Sequence, residues 1–152
     1  MMIDEIDRRL LLAIQRNSDR SVQELGHEVG LSASACHRRI KALEAAGYVL
    51  AYRAWLNAEQ LGFTMQFFIE VSLASQSEES FAAFEQAVRA VPEVLECHLM
   101  AGRFDYILRV VVRDHADFER LHRRLIAKLP GVAQVHSNMS IRTVKTRTGL
   151  PL

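Results

Sequence analysis

The sequence predicts an α+β chain in two parts, an N-terminal (winged) helix-turn-helix unit and a C-terminal ferredoxin-like βαββαβ domain. Three observations lead there. Apolar residues recur at helical spacing three times within the first 46 residues, they alternate at every second position from Phe63 onward, and the patterns that follow run strand, helix, strand, strand, helix, strand.

Ile3, Ile6, Leu10 and Ile14 lie three and four residues apart, an apolar stripe on a helix from about Asp4 to Arg16. Acidic Asp4, Glu5 and Asp7 suit its positive end, and Asn17-Ser18-Asp19 breaks the pattern. Ser21 with Glu24 three residues on is a capping box, opening a short helix whose Val22, Leu25 and Val29 face inward until Gly30 stops it. Ser32 then caps a third helix with Cys36, Ile40 and Leu43 inward and Gly47 beyond its end. Tyr48 to Arg53 is rich in β-formers and predicts a short strand or wing.

The predicted boundaries are a helix-turn-helix domain over 1–52, a linker over 53–62 and the second domain over 63–152. There, Phe63, Met65, Phe67, Ile69, Val71 and Leu73 mark a strand with one buried face. Phe81, Phe84, Val88 and Val91 mark a helix. Val94 to Ala101 and Asp105 to Arg113 read as two strands around a tight Gly102-Arg103-Phe104 turn. Phe118, Leu121, Leu125 and Leu129 mark a second helix, closed by Pro130-Gly131, and Val135, Ser137, Met139 and Ile141 a last strand. Both helices are expected on one face of a four-stranded antiparallel sheet. The other face is then bare and, with Phe68 and with Leu95, Cys97 and Leu99 or their alternates on it, too apolar for water. A second copy of the domain is the simplest cover, so a homodimer is expected.

Composition narrows the functions. The 152 residues are 49% hydrophobic and 24% charged, enough to bury real cores. No run of 18 apolar residues occurs, and acids stand near the start where a secretory signal needs positive charge, so no membrane partner and a cytoplasmic location are expected. Cys36 and Cys97 lie far apart and read as small buried apolar residues rather than a disulfide pair. His27, His37, His98, His115, His122 and His136 show no ligand spacing, and no triad order or Gly-rich phosphate loop occurs; neither a metal, nor a cofactor, nor an enzyme is expected.

The net charge of +1 hides its distribution. Residues 62–140 hold eight basic and ten acidic side chains, whereas Arg38, Arg39 and Lys41 fall within four positions of the third helix. A local basic patch governs phosphate contact more than the whole-chain sum. With Cys36, Ile40 and Leu43 inward, the outer face presents Ser34, His37, Arg38 and Lys41, donors able to reach bases and phosphates. Ser32, at the helix start, and Arg39 complete the candidate DNA-binding set; the bland alternative is a solvated basic face on a plain three-helix bundle. Arg142, Lys145 and Arg147 make the tail basic, and an exposed solubilising tail is the simplest reading of it.

Several ordered motifs now bear on family. They are Ile6-Asp7-Arg8-Arg9-Leu10-Leu11, Gly30-Leu31-Ser32-Ala33-Ser34, Arg38-Arg39-Ile40-Lys41-Ala42-Leu43-Glu44, Gly47-Tyr48-Val49, Val94-Leu95-Glu96-Cys97-His98 and Gly102-Arg103-Phe104-Asp105-Tyr106. Together they resemble the Lrp/AsnC (leucine-responsive and asparagine-synthetase regulator) transcription factors over nearly the whole length. The resemblance implies double-stranded DNA as partner, dimers assembling as far as octamers, and an amino acid as effector. It places the effector at a subunit interface beside a Gly-x-x-Asp loop, here Gly102 and Asp105. His98, Met100, Ala101, Arg103, Phe104 and Tyr106 complete the candidate effector set. Ala101 stands where the family often has a small hydroxyl residue, which removes one donor. A glycine lets backbone amides approach a carboxylate and an aspartate can hold an ammonium group; equally, Gly102 can simply turn the hairpin and Asp105 cap it. The alternative function is a DNA-binding regulator that answers no effector and acts through assembly alone.

Overall fold

The structure, a computed structural model, describes residues 2–146 and 149–152; Arg147 of the basic tail lies outside them. Its elements are α1 (Glu5–Arg16), α2 (Val22–Val29), α3 (Ala33–Ala45), β1 (Met65–Leu73), α4 (Glu78–Val88), β2 (Val94–Leu99), β3 (Tyr106–Val112), α5 (His115–Lys128) and β4 (Val132–Met139). No helix among the described residues is long and apolar enough to cross a membrane. The chain divides into two compact units, Met1–Trp55 with Val144–Leu152, and Leu56–Thr143.

In the first unit local chemistry sets each helix start. Asp4 caps α1, accepting from the Asp7 N–H at 2.8 Å while Asp7 accepts from the Asp4 N–H at 3.1 Å. Ser21 and Glu24 repeat the arrangement on α2, and Ser32 caps α3 by accepting from the Ala35 N–H. Leu10, Ala13, Cys36 and Leu43 are fully buried at the junction of α1 and α3, joined by Leu25 and Val29 of α2. The turn between α2 and α3 is tight: a Cβ on Gly26 would lie 2.8 Å from the Leu31 carbonyl oxygen and 3.4 Å from Cys36 Cβ. Only glycine lets the two helices approach this closely.

Tyr48 to Arg53, expected as a strand or wing, forms no strand. A strand needs a ladder partner, and the four strands among the described residues pair with one another in a single sheet. Leu50 stays 93% exposed, and the Tyr52 hydroxyl donates to the Glu44 carboxylate at 3.0 Å.

The second unit is a four-stranded antiparallel sheet in the order β2-β3-β1-β4. Period-two alternation sends Phe67, Ile69, Val71 and Leu73 of β1, with Tyr106, Leu108, Val110 and Val112 of β3, to one face. There they meet Phe84 and Val88 of α4 and Leu121, Leu125 and Leu129, carried by α5 and its end. Phe67 stacks on Phe118 with ring centroids 3.9 Å apart. Two edges differ from expectation. Strand β4 ends at Met139, leaving Ile141 94% exposed beyond the ladder, and β2 ends at Leu99.

The opposite face is also more polar than expected. A register shift between Val94 and Glu96 takes Leu95 out of the pairing and turns Cys97 onto the helix side, where it packs against the core. Burial there pushes its thiol pKa up to about 11. Leu99 pairs with inward-facing Tyr106, so it too leaves the open face. What remains there is Phe68, Ile107 and Val111 among polar residues that include Gln66, Glu70, Glu96, His98, Arg109, His136 and Asn138. Arg109 binds Glu96 at 2.8 Å and Gln66 at 3.0 Å, so this face is an ion-paired surface with an apolar patch.

Candidate nucleic-acid interface and ligand loop

Burying Cys36, Ile40 and Leu43 leaves the opposite side of α3 to solvent, and Ser34, His37, Arg38 and Lys41 are all exposed on it. Their spacing places them in one stripe along two turns. Ser32 stands at the N-terminal end, its hydroxyl 3.2 Å from that of Ser34. Lys41 pairs with Glu44 at 2.7 Å, a surface contact worth only about 0–1 kcal/mol that an incoming phosphate can replace. Lys41 and Tyr52 together hold the Glu44 carboxyl below its usual range, the lysine contact first. No hydrogen bond or ion pair among the described residues engages Arg38.

Arg39 is different in being engaged within the unit. One Nη1 donates to Asp4 at 2.7 Å and to Asp7 at 2.8 Å, fastening α3 to the start of α1. Asp7 is the one charged residue buried among those described. Its hydrogen bond to Arg39, followed by that of Asp4, raises the guanidinium's affinity for its proton, and Asp4 is held below its usual pKa by the Asp7 N–H and then by Arg39. A buried carboxylate left without this partner is costly, so Arg39 helps position the helix. Sequence reasoning missed the clamp, although two acids three residues apart at a helix start were its visible signal.

The loop between β2 and β3 runs from Met100 to Asp105, closed by the Met100 N–H donating to the Asp105 carbonyl at 2.8 Å. Ala101, Gly102 and Arg103 are exposed, and Arg103 lies 3.6 Å from Glu70. Gly102 has no positive φ, and a Cβ on it would meet nothing within 4 Å. Neither the turn nor packing within this chain demands glycine. The Asp105 carboxylate, in contrast, is occupied: its Oδ2 accepts from the Leu73 N–H at 2.7 Å and the Gln76 amide at 3.4 Å. The candidate effector residues therefore do not converge within one chain. Tyr106 points into the core, its hydroxyl donating to Glu85 at 2.9 Å, and burial drives its pKa well above normal. His98 lies on the open sheet face, 3.5 Å from Glu96. No group of three or more His, Cys, Asp or Glu side chains able to hold a metal occurs among the described residues.

Comparison with known proteins now decides the family. The AsnC-type helix-turn-helix domain model matches residues 3–44, and the Lrp/AsnC ligand binding domain model matches residues 66–150. The chain belongs to the Lrp/AsnC family of transcriptional regulators. It is 34% identical over 151 residues to the DNA-binding transcriptional activator DecR of Escherichia coli, covering 99% of both chains. It is 36% identical over 150 residues to the leucine-responsive regulatory protein of Haemophilus influenzae, covering 99% of this chain and 90% of that one. A Neisseria meningitidis transcriptional regulator solved in complex with L-Met superposes with a TM-score of 0.93 at 33% identity, over 99% of this chain and 97% of that chain. This Lrp/AsnC chain thus pairs a DNA-binding helix-turn-helix with a ligand-binding α+β domain.

Proposed function

We propose that this regulator reads double-stranded DNA in the cytoplasm through Ser34, His37, Arg38 and Lys41, with Ser32 at the α3 N-terminus offering phosphate contact. The observation that carries the reading is the contrast between adjacent arginines: Arg39 is spent inside the unit, whereas Arg38 stands exposed on the stripe with its guanidinium disengaged among the described residues. An arginine so placed can hold guanine by two hydrogen bonds, worth about 1–3 kcal/mol of discrimination. Arg38→Ala, tested by gel shift against a site enriched from a random duplex library, should lose specific binding while remaining folded. Normal binding of that site by the variant would end the assignment.

The functional unit is a homodimer formed through the open sheet face, with larger assembly up to the octamer. The Phe68, Ile107 and Val111 patch supports this, and Phe68→Asp should dissociate the dimer in sedimentation experiments. The effector is an amino acid bound beside Gly102, where a second subunit completes the site. Unrequired glycine at an exposed loop supports that role, as does the L-Met carried by the Neisseria relative. A thermal-shift screen of the twenty amino acids tests it, since a ligand of the folded state raises stability by mass action. One observation favours the second reading, a regulator with no effector: the Asp105 carboxylate already serves Leu73 and Gln76, and no shift with any amino acid would select it.

A further inference from the structure

The chain crosses between its two units twice, once near Trp55 and again near Thr143, because its last residues belong to the first unit rather than to the sheet domain that precedes them. Their docking is specific. The Leu150 N–H donates to Gln15 Oε1 at 2.6 Å, and Gln15 Nε2 donates to the Leu150 carbonyl at 3.2 Å, so one side-chain amide on α1 reproduces both bonds of a strand pairing. Gly149 makes this possible. Its φ of +133° is open to glycine, and a Cβ there would lie 2.7 Å from the same Gln15 oxygen. Leu150 and Leu152 line an apolar cavity of about 540 Å³ with Ile3, Leu11, Ile14 and Tyr48. Leu150 also walls a cleft of about 620 Å³ beside Leu12, Arg16 and Lys145.

From this we infer that the outer face of α1 is a peptide-docking surface whose occupant is the chain's own C-terminal segment, and that the docked segment is a second tether restraining the DNA reader. A unit held by one linker swivels freely; one held at both ends of its chain samples fewer orientations. In a dimer, the orientations open to the two readers set which half-site separations can be bound. Leu150 and Leu152 remain 55% and 41% exposed, so the docking is shallow.

This inference rests on the DNA-reading proposal for its consequence but not for its structural half, and two measurements separate them. Gln15→Ala places a strong helix former at an exposed helical position, so the full-length variant keeps its fold; Gly149→Val blocks docking from the other side. In amide exchange by NMR, the Leu150 N–H should be at least about tenfold protected in the wild type and exchange like a free peptide in both variants. Equal exchange in wild type and variants overturns the docking. With a library-selected site, inserting about half a helical turn between half-sites should cost the wild type at least roughly tenfold in Kd and either variant about threefold or less. An equal penalty in all three overturns the tether, whereas a wild type that enriches no site defeats the DNA-reading proposal and leaves the exchange result to decide the docking.

Discussion

Helix α3 and the 100–105 loop are the two exposed features proposed as binding sites, and they are built in opposite ways. On α3 four polar side chains stand in one stripe on a helix clamped from behind by Arg39, Asp4 and Asp7. The loop shows backbone and a glycine, with its carboxylate turned inward to hold the end of β1. The first is a finished surface that one chain makes alone. The second lacks converging groups within one chain, in keeping with the proposal that ligand binding and assembly share one place.

That contrast can be broken at several points. The largest effect falls on the clamp. Asp7→Ala removes a buried partner and half a capping box, and should lower the stability of the first unit by about 2 kcal/mol in denaturant unfolding. Arg38→Ala should leave that stability unchanged, and equal losses would erase the distinction between the two arginines.

Acid should act next, and unevenly. Asp4, Glu24, Glu28 and Glu44 of the first unit have lowered pKa values, as do Glu96 and Asp117 of the second. A depressed folded-state carboxylate contributes stability above its unfolded pKa, from 3.8 for Asp to 4.5 for Glu, and loses it as pH falls through the folded value. Amide signals of the helix-turn-helix unit should therefore vanish first on acidification below that range, and the reverse order would contradict it.

Smaller effects are expected at the loop. Asp105→Ala strands the Leu73 N–H and should cost about 1 kcal/mol with no ligand present. An unchanged melting temperature would free that carboxylate for an effector after all. Gly102→Ala should alter stability by less than about 0.5 kcal/mol, since its Cβ meets nothing. A large loss would show that the chain itself requires the glycine.

Much was legible before any coordinates. The caps at Ser21 and Ser32 rest on contacts three residues apart, and the core stripes on the helical and strand periods, both of which the chain carries locally. The open sheet face was misjudged because a one-residue shift in β2 inverts every side chain after it, and no local pattern announces such a bulge. The expected wing failed for a related reason: β-forming residues make a strand only when a partner strand exists.

The sequence by itself determined the three helices, the βαββαβ order of the second unit and the stripe of donors on α3, because these follow from spacing along the chain. Tertiary structure alone decided that Arg39 grips Asp4 and Asp7, and that the last residues return to Gln15. Those contacts join residues 32 and 135 positions apart, where sequence neighbours look alike and only the packed helices distinguish them.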